Sequence, residues 1–227
     1  MPFFVFALMA GQVVKAAGTE PEMLQQLLSF LLRYSLVVVL GLAIMVFVFY
    51  PLLVSLTVKK LSWKTFSSGM RDAQLTAFST SSSVATLPVT MQCVHQKLGV
   101  SSRTSSFVLP IGATVNMDGT SMYQAIAVVA LAQFHMVDLE WSQQAVIVLT
   151  ATLASIGAAA VPSAGLVLMI IVLESVGLNP AWIALIFPVD RILDMCRTVV
   201  NVTGDGAVSS MIAASENELN PDAQSAT

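Results

Sequence analysis

Three features of the sequence predict an all-α polytopic membrane protein. They are its apolar composition, long charge-free runs broken by small residues, and a last helix whose polar groups share one stripe. The 227 residues are 56% hydrophobic and only 10% charged, with a mean hydropathy of +0.81. Soluble domains carry about 25% charged residues. The net charge is −3, and no basic patch is interleaved with aromatics, which argues against a nucleic-acid partner. Cys93 and Cys196 lack metal or redox spacing and read as packing residues. His95 and His135 fall near segment ends and read as interfacial.

Pro2 to Val14 is an apolar run too short to span a membrane alone, and it lacks the basic start and small-residue cleavage site of a signal peptide. It reads as the end of a transmembrane helix that begins outside this chain. Residues 16–33 form a polar connector leading into an amphipathic stretch. Residues 34–58 carry no charge, and as a helix they rise about 37 Å, enough to span a bilayer with tilt. Residues 64–98 are moderately apolar, with a Ser/Thr-rich centre, Ser79 to Ser83, and Pro88. Residues 104–137 are apolar except for Asn116-Met117-Asp118-Gly119-Thr120. Residues 141–173 run without a charge. As one helix they would reach about 50 Å, too long for the hydrocarbon core. The small residues and Pro162 at their centre supply a break, so 141–177 reads as a hairpin that dips in and returns. Residues 180–214 form the last span, and 215–227 a disordered cytoplasmic tail.

Six of the ten basic residues lie between 59 and 103. The positive-inside rule puts both ends of 64–98 in the cytoplasm, which makes that segment a second re-entrant hairpin. A hairpin followed by a polar-centred helix thus occurs twice, in opposite orientations. Inverted repeats with interrupted helices meeting at mid-membrane are a signature of secondary transporters.

The chemistry is concentrated in two places. On the last helix Asp190, Asp194, Arg197, Thr198, Asn201 and Asp205 share an arc of about 100°. Such a stripe faces protein, water or ligand rather than lipid, because each intramembrane charge costs roughly 2.5–3.5 kcal/mol to insert. Arg197 can hold a carboxylate bidentately and Asp194 an ammonium group. The alternative is an i,i+3 ion pair between these two without a ligand. In the second place, Asp118 beside the helix-loosening Gly119 offers a hard-oxygen site for a small cation. A salt bridge from Asp118 to Arg197 is the alternative there. The small hairpin tips, Ser81 to Ser83 and Gly157 to Ala160, either leave backbone groups open to a ligand or serve helix packing.

These segments resemble the dicarboxylate/amino acid:cation symporters, the family of archaeal aspartate transporters and mammalian excitatory amino acid transporters. The matching motifs are Ser82-Ser83-Val-Ala-Thr-Leu-Pro88, Asn116-Met-Asp-Gly-Thr120, Ser155-Ile-Gly-Ala-Ala-Ala-Val-Pro162 and Asp194-Met-Cys-Arg-Thr-Val-Val-Asn-Val-Thr-Gly-Asp205. They occur in family order across residues 1–215. The resemblance implies sodium-coupled symport of an acidic amino acid by elevator-like alternating access, with no enzyme activity. It implies substrate contacts at Ser83, Thr120, Val161, Gly165, Asp194, Arg197, Thr198 and Asn201. One sodium site would use Asp205 with carbonyls of Gly112, Asn116 and Asn201. A second would use carbonyls of Thr114, Ser155, Ile156 and Ala158. A third would use Asn116 and Asp118, completed from a helix not in this chain. Residues 1–33 would belong to a scaffold and 34–214 to the moving transport domain.

There are departures from the pattern. Ser81 and Met195 occupy the positions where the family commonly has an extra arginine, and Gln124 stands where proton-coupled members have glutamate. Sodium coupling without a proton carried at residue 124 is therefore expected. The first four helices of the family are absent, so the chain resembles a C-terminal half and is expected not to transport alone. The full-length protein would be a homotrimer in the plasma (inner) membrane, in contact with the lipid bilayer. Alternatives are a C4-dicarboxylate:cation symporter or a transport-inactive fragment. An intramembrane protease is disfavoured, because Val202 precedes Thr203-Gly204-Asp205 where a Gly-x-Gly-Asp motif needs glycine.

Overall fold

The computed structural model describes residue 11 and residues 21–158 and 162–220. Among them the secondary structure is helical. Helix α1 (Pro21–Ile44) runs into a π-helical turn, Met45–Phe49, and on into α2 (Tyr50–Thr57). The connector's amphipathic stretch is thus continuous with the span that follows. Pro51 accounts for the wide turn, since it has no N–H to donate and its ring crowds the preceding carbonyls. Glu22–Thr57 is the one helical run among the described residues long and apolar enough to cross a membrane on its own. The other expected spans miss that test because one is broken and the other carries charges.

The first hairpin comprises α3 (Trp63–Gly69), α4 (Arg71–Thr80) and α5 (Ser83–Gln92), followed by a π-helical turn, Cys93–Lys97. Its tip is set by two serines. Ser81 ends α4 in the left-handed conformation, φ 52°. Ser82 caps α5 by accepting the Ala85 N–H at 3.2 Å. Next come α6 (Ser102–Val115) and α7 (Asp118–Phe134), separated at Asn116-Met117, where both residues leave helical geometry. The second hairpin has arms α8 (Trp141–Ile156) and α9 (Ala164–Ser175), which pack on each other. Residues 159–161, which include part of the expected tip Gly157 to Ala160 and the substrate candidate Val161, lie outside the described residues.

A short 3₁₀ turn, Pro180–Trp182, leads into α10 (Ile183–Ser215). This helix is the axis of the fold and touches α1, α2, α4, α5, α6, α7 and α9. Seen along it, buried Val38, Tyr123, Val128, Met169, Ile186, Val200 and Ala207 form one apolar interior. The outer surface is also apolar. Leu32, Leu36 and Leu40 on α1, Val148 and Leu153 on α8 and Val167 on α9 are all well exposed. An aqueous surface does not tolerate apolar area on this scale, whereas lipid or further helices would.

The stretch 216–220, expected to be part of a disordered tail, is tied down instead. Leu219 pairs with Val100 in an isolated antiparallel bridge. The Ser101 amide donates to the Glu218 carbonyl at 3.0 Å, and the Asn220 amide to Gly99 at 2.8 Å. Lys60 Nζ donates to the Leu219 carbonyl at 3.2 Å. The Glu218 carboxylate accepts from Ser101 and Thr104 hydroxyls, each at 2.5 Å, at the start of α6. Composition hid this, because the anchoring donors come from a loop more than a hundred positions earlier.

The hydroxyls of Ser101 and then Thr104, helped by Arg103, hold the Glu218 carboxyl below the usual glutamate range. A depressed carboxylate stabilises the docked segment above its unfolded value of about 4.3, and that contribution is lost as pH falls through the lower folded value. Hydrogen-exchange protection of the Ser101 amide is therefore expected to hold from pH 7 to about 4.3 and to fall below that. In Glu218→Gln it should already be weak at pH 7 and should not fall further across this range.

Candidate functional site

The polar stripe of α10 is buried along its whole length. Asp190 is 2% exposed, Asp194 7%, Arg197 1%, Asn201 3% and Asp205 3%. Helical periodicity places them on one side, and the packing of α4, α6, α7 and α9 around that side removes them from the surroundings. So many polar groups in so little water need partners, and most have them.

Arg197 is the centre of the upper group. Its Nη2 donates to Asp194 Oδ1 at 2.6 Å and to Asp190 Oδ1 at 3.1 Å. The guanidinium lies 3.8 Å over the Tyr123 ring, a cation–π contact from α7. The Tyr123 hydroxyl in turn donates to Asp190 Oδ1 at 2.9 Å. One nitrogen of the guanidinium therefore takes two carboxylates. Its Nε and Nη1 are buried and have no partner among the described residues. Orphaned charged donors in a buried place are expensive, and an anion would satisfy them.

Hairpin two meets α10 at this point. The Ser163 amide donates to Asp194 Oδ2 at 3.0 Å, with Ser163 in the left-handed conformation at φ 63°. Gly165 lies against Arg197, and a Cβ there would stand 3.3 Å from Nη1 and 2.6 Å from Thr120 Cγ2. Gln124 Nε2 donates to the Gly165 carbonyl at 2.8 Å. A glutamate at 124 could make that bond only when protonated.

Asn201 links the upper group to the helix break. Its Oδ1 accepts the Gly119 amide at 2.8 Å, and its Nδ2 reaches Met117 Sδ at 3.2 Å and Thr120 Oγ1 at 3.4 Å. Gly119 allows this approach, since a Cβ there would stand 2.5 Å from the Arg197 carbonyl oxygen. Lower on α10, Asp205 Oδ1 accepts from Asn116 Nδ2 at 2.9 Å. A Cβ on Gly112 would stand 2.5 Å from the same Asp205 oxygen, so the carboxylate lies directly against the α6 backbone. Asp118 does not bridge to Arg197. It accepts a short hydrogen bond from the Tyr50 hydroxyl.

A family model, the sodium:dicarboxylate symporter family, matches residues 1–215. The chain belongs to this family. Similar proteins are an excitatory amino acid transporter of Caenorhabditis elegans, 44% identical over 93% of this chain and 41% of its own length, excitatory amino acid transporter 1 of Mus musculus, 44% identical over 93% and 38%, and excitatory amino acid transporter 3 of Oryctolagus cuniculus, 47% identical over 90% and 38%. The chain spans about two fifths of the length of these relatives. They are transporters rather than enzymes.

The residues that resemble this symporter family's substrate contacts divide by how closely they assemble. Thr120, Gly165, Asp194, Arg197 and Asn201 form one connected group. Thr198 is buried beside them, its hydroxyl spent on the Asp194 carbonyl at 2.9 Å. Ser83 is buried at the tip of hairpin one. Among the cation candidates, Gly112, Asn116 and Asp205 adjoin one another, and Asn201 lies one turn before Asp205 on α10. Ser155 and Ala158 are buried at the end of α8, while Thr114 and Ile156 are exposed. The Thr114 hydroxyl donates to the Ile111 carbonyl at 3.0 Å and the Ser155 hydroxyl to the Thr152 carbonyl at 2.9 Å. No group of three His, Cys, Asp or Glu side chains is poised for a metal among the described residues. Single carboxylates beside a break between two helices suit a monovalent ion.

Sequence reasoning missed Tyr123 and Tyr50. Both are aromatic residues at helical core spacing, and neither their identity nor their position distinguishes them from packing residues. Asp190 was on the predicted stripe, but its partners come from another turn and another helix.

Proposed function

We propose that this chain carries the substrate and cation sites of a sodium-coupled symporter for an acidic amino acid. The observation behind this reading is Arg197, a buried guanidinium beside the carboxylate of Asp194 with two nitrogens unpaired among the described residues. A zwitterionic dicarboxylate matches that pair, with its side-chain carboxylate on Nε and Nη1 and its ammonium on Asp194. Asn201 lies beside the main carboxylate, and Ser83, Thr120, Val161, Gly165 and Thr198 complete the pocket. Asp205 with the carbonyls of Gly112, Asn116 and Asn201 holds one sodium ion. Thr114, Ser155, Ile156 and Ala158 hold a second, and Asn116 with Asp118 contributes to a third.

Asp194 has a second task in this account. It anchors hairpin two through the Ser163 amide, so an arriving ammonium competes for the same oxygen. Substrate binding and hairpin position are then linked, which is the coupling that alternating access requires. Both hairpins are re-entrant, the C-terminus is cytoplasmic, and residues 34–214 move as a unit against a scaffold in a homotrimer of the full-length protein. Gln124 makes this movement independent of a proton at that position.

Competition decides the substrate class. Labelled aspartate bound in sodium buffer by the chain in lipid nanodiscs should be displaced by unlabelled aspartate and hardly at all by succinate. Succinate lacks the ammonium that Asp194 would hold, so equal displacement would point to a C4-dicarboxylate carrier.

A further inference from the structure

We infer that Tyr50 is a positioning residue of the cation site, holding the Asp118 carboxylate in place from a helix that no site motif includes. The inference rests on the sodium-site reading above.

Three observations carry it. First, the Tyr50 hydroxyl donates to Asp118 Oδ2, while the phenol ring is buried, 3% exposed. Asp118 itself is exposed at the first position of α7. Among the described residues its carboxylate has no other hydrogen-bond or ion-pair partner. Second, Tyr50 meets the Asp205 side of the site at Gly204. A Cβ on Gly204 would stand 2.7 Å from the Tyr50 hydroxyl and 2.8 Å from Asn116 Nδ2. Gly204 therefore makes room for two donors side by side, one serving Asp118 and the other Asp205. Each carboxylate has one oxygen occupied and keeps the other, Asp118 Oδ1 and Asp205 Oδ2, without a hydrogen bond among the described residues. Neighbouring donors thus hold two carboxylates, each with an open oxygen, for two of the sodium sites proposed above, one at Asp118 and one at Asp205.

Third, the aim of Tyr50 is built into its helix. The buried positions Val38, Leu42, Val46, Tyr50, Val54 and Val58 recur every four residues. On a regular α-helix of about 3.6 residues per turn that spacing drifts around the axis. The π-helical turn Met45–Phe49 absorbs part of the drift, and the Tyr50 amide bonds back to Met45, five residues earlier. Pro51 keeps the turn wide. Single π-turns are frequent at functional sites because they re-aim the residue that follows.

A hydrogen-bond partner that orients a metal-binding side chain typically changes metal affinity by about 10–100-fold when removed. Tyr50→Phe keeps the ring and deletes only the hydroxyl. The test is thermal unfolding of the chain in nanodiscs, titrated with sodium chloride against choline chloride at constant ionic strength. Tyr50→Phe should leave the unfolding temperature in choline nearly unchanged and move the sodium midpoint up about tenfold. In an Asp118→Asn background the same substitution should add little, since its effect acts through that carboxylate. An unchanged sodium midpoint in Tyr50→Phe, with a normal wild-type response, overturns the inference and leaves the sodium site standing. Equal loss of stability in both salts also overturns it, by making Tyr50 a packing residue. A wild type that answers sodium and choline alike overturns the sodium reading and this inference together.

Discussion

Arg197→Ala is expected to abolish binding of acidic substrates, with a loss of at least about a hundredfold in aspartate affinity from removing a buried, charge-assisted bidentate contact. The effect has two parts that experiment can separate. Asp190 loses its cation, while Asp194 is left with Arg191 at 3.7 Å, and an unpaired buried charge costs about 3–5 kcal/mol. Part of the binding loss is then a loss of structure. Arg197→Cys, in a transporter that carries this segment, removes the same cation and should accept neutral amino acids, because Asp194 still offers a partner to the ammonium. Arg197→Lys keeps the charge but not the planar fork, and should bind aspartate more weakly than wild type. Unchanged aspartate affinity in Arg197→Ala would remove the substrate assignment, whatever the stability.

Gly119→Ala should be nearly as damaging, through backbone geometry alone. The added carbon would stand 2.5 Å from the Arg197 carbonyl oxygen and 3.1 Å from its Cα. Neither atom belongs to a flexible side chain, so α7 and α10 must separate, which costs about 1–3 kcal/mol by overpacking. The separation also pulls the Gly119 amide from Asn201, a 2.8 Å bond inside the site. The control is Gly157→Ala, where the nearest atom would be 3.6 Å away. Unfolding temperatures of the two variants should differ clearly, with Gly157→Ala close to wild type. Equal behaviour would mean that the α7–α10 contact is not close in solution.

How much of this could be read in advance depends on the range of the interaction. The break at Ser81-Ser82 was legible from its small residues, and so was a break near Asn116 to Thr120, although the helix parts at Asn116-Met117 and the expected loosening point, Gly119, lies inside α7. The burial of Asp190 through Asp205 was legible from periodicity and the cost of a charge in lipid. Partner choices were less so. Asp118 could have met Arg197, and the structure gives it Tyr50 from α2. That pairing depends on a π-turn whose only sequence mark is Pro51. Similarly, Glu218 looked like part of a solvated tail until α6 brought Ser101 and Thr104 to it. Local signals reveal where a helix ends, while long-range pairing depends on how whole helices pack.

The central claim is that one chain holds an acidic amino acid and sodium at linked sites. The most direct measurement is the aspartate dissociation constant of the chain in nanodiscs as sodium is raised at constant ionic strength. Linked binding predicts that the constant falls steeply with sodium, while choline in its place leaves aspartate bound weakly. An aspartate affinity that is the same in sodium and in choline would contradict the account.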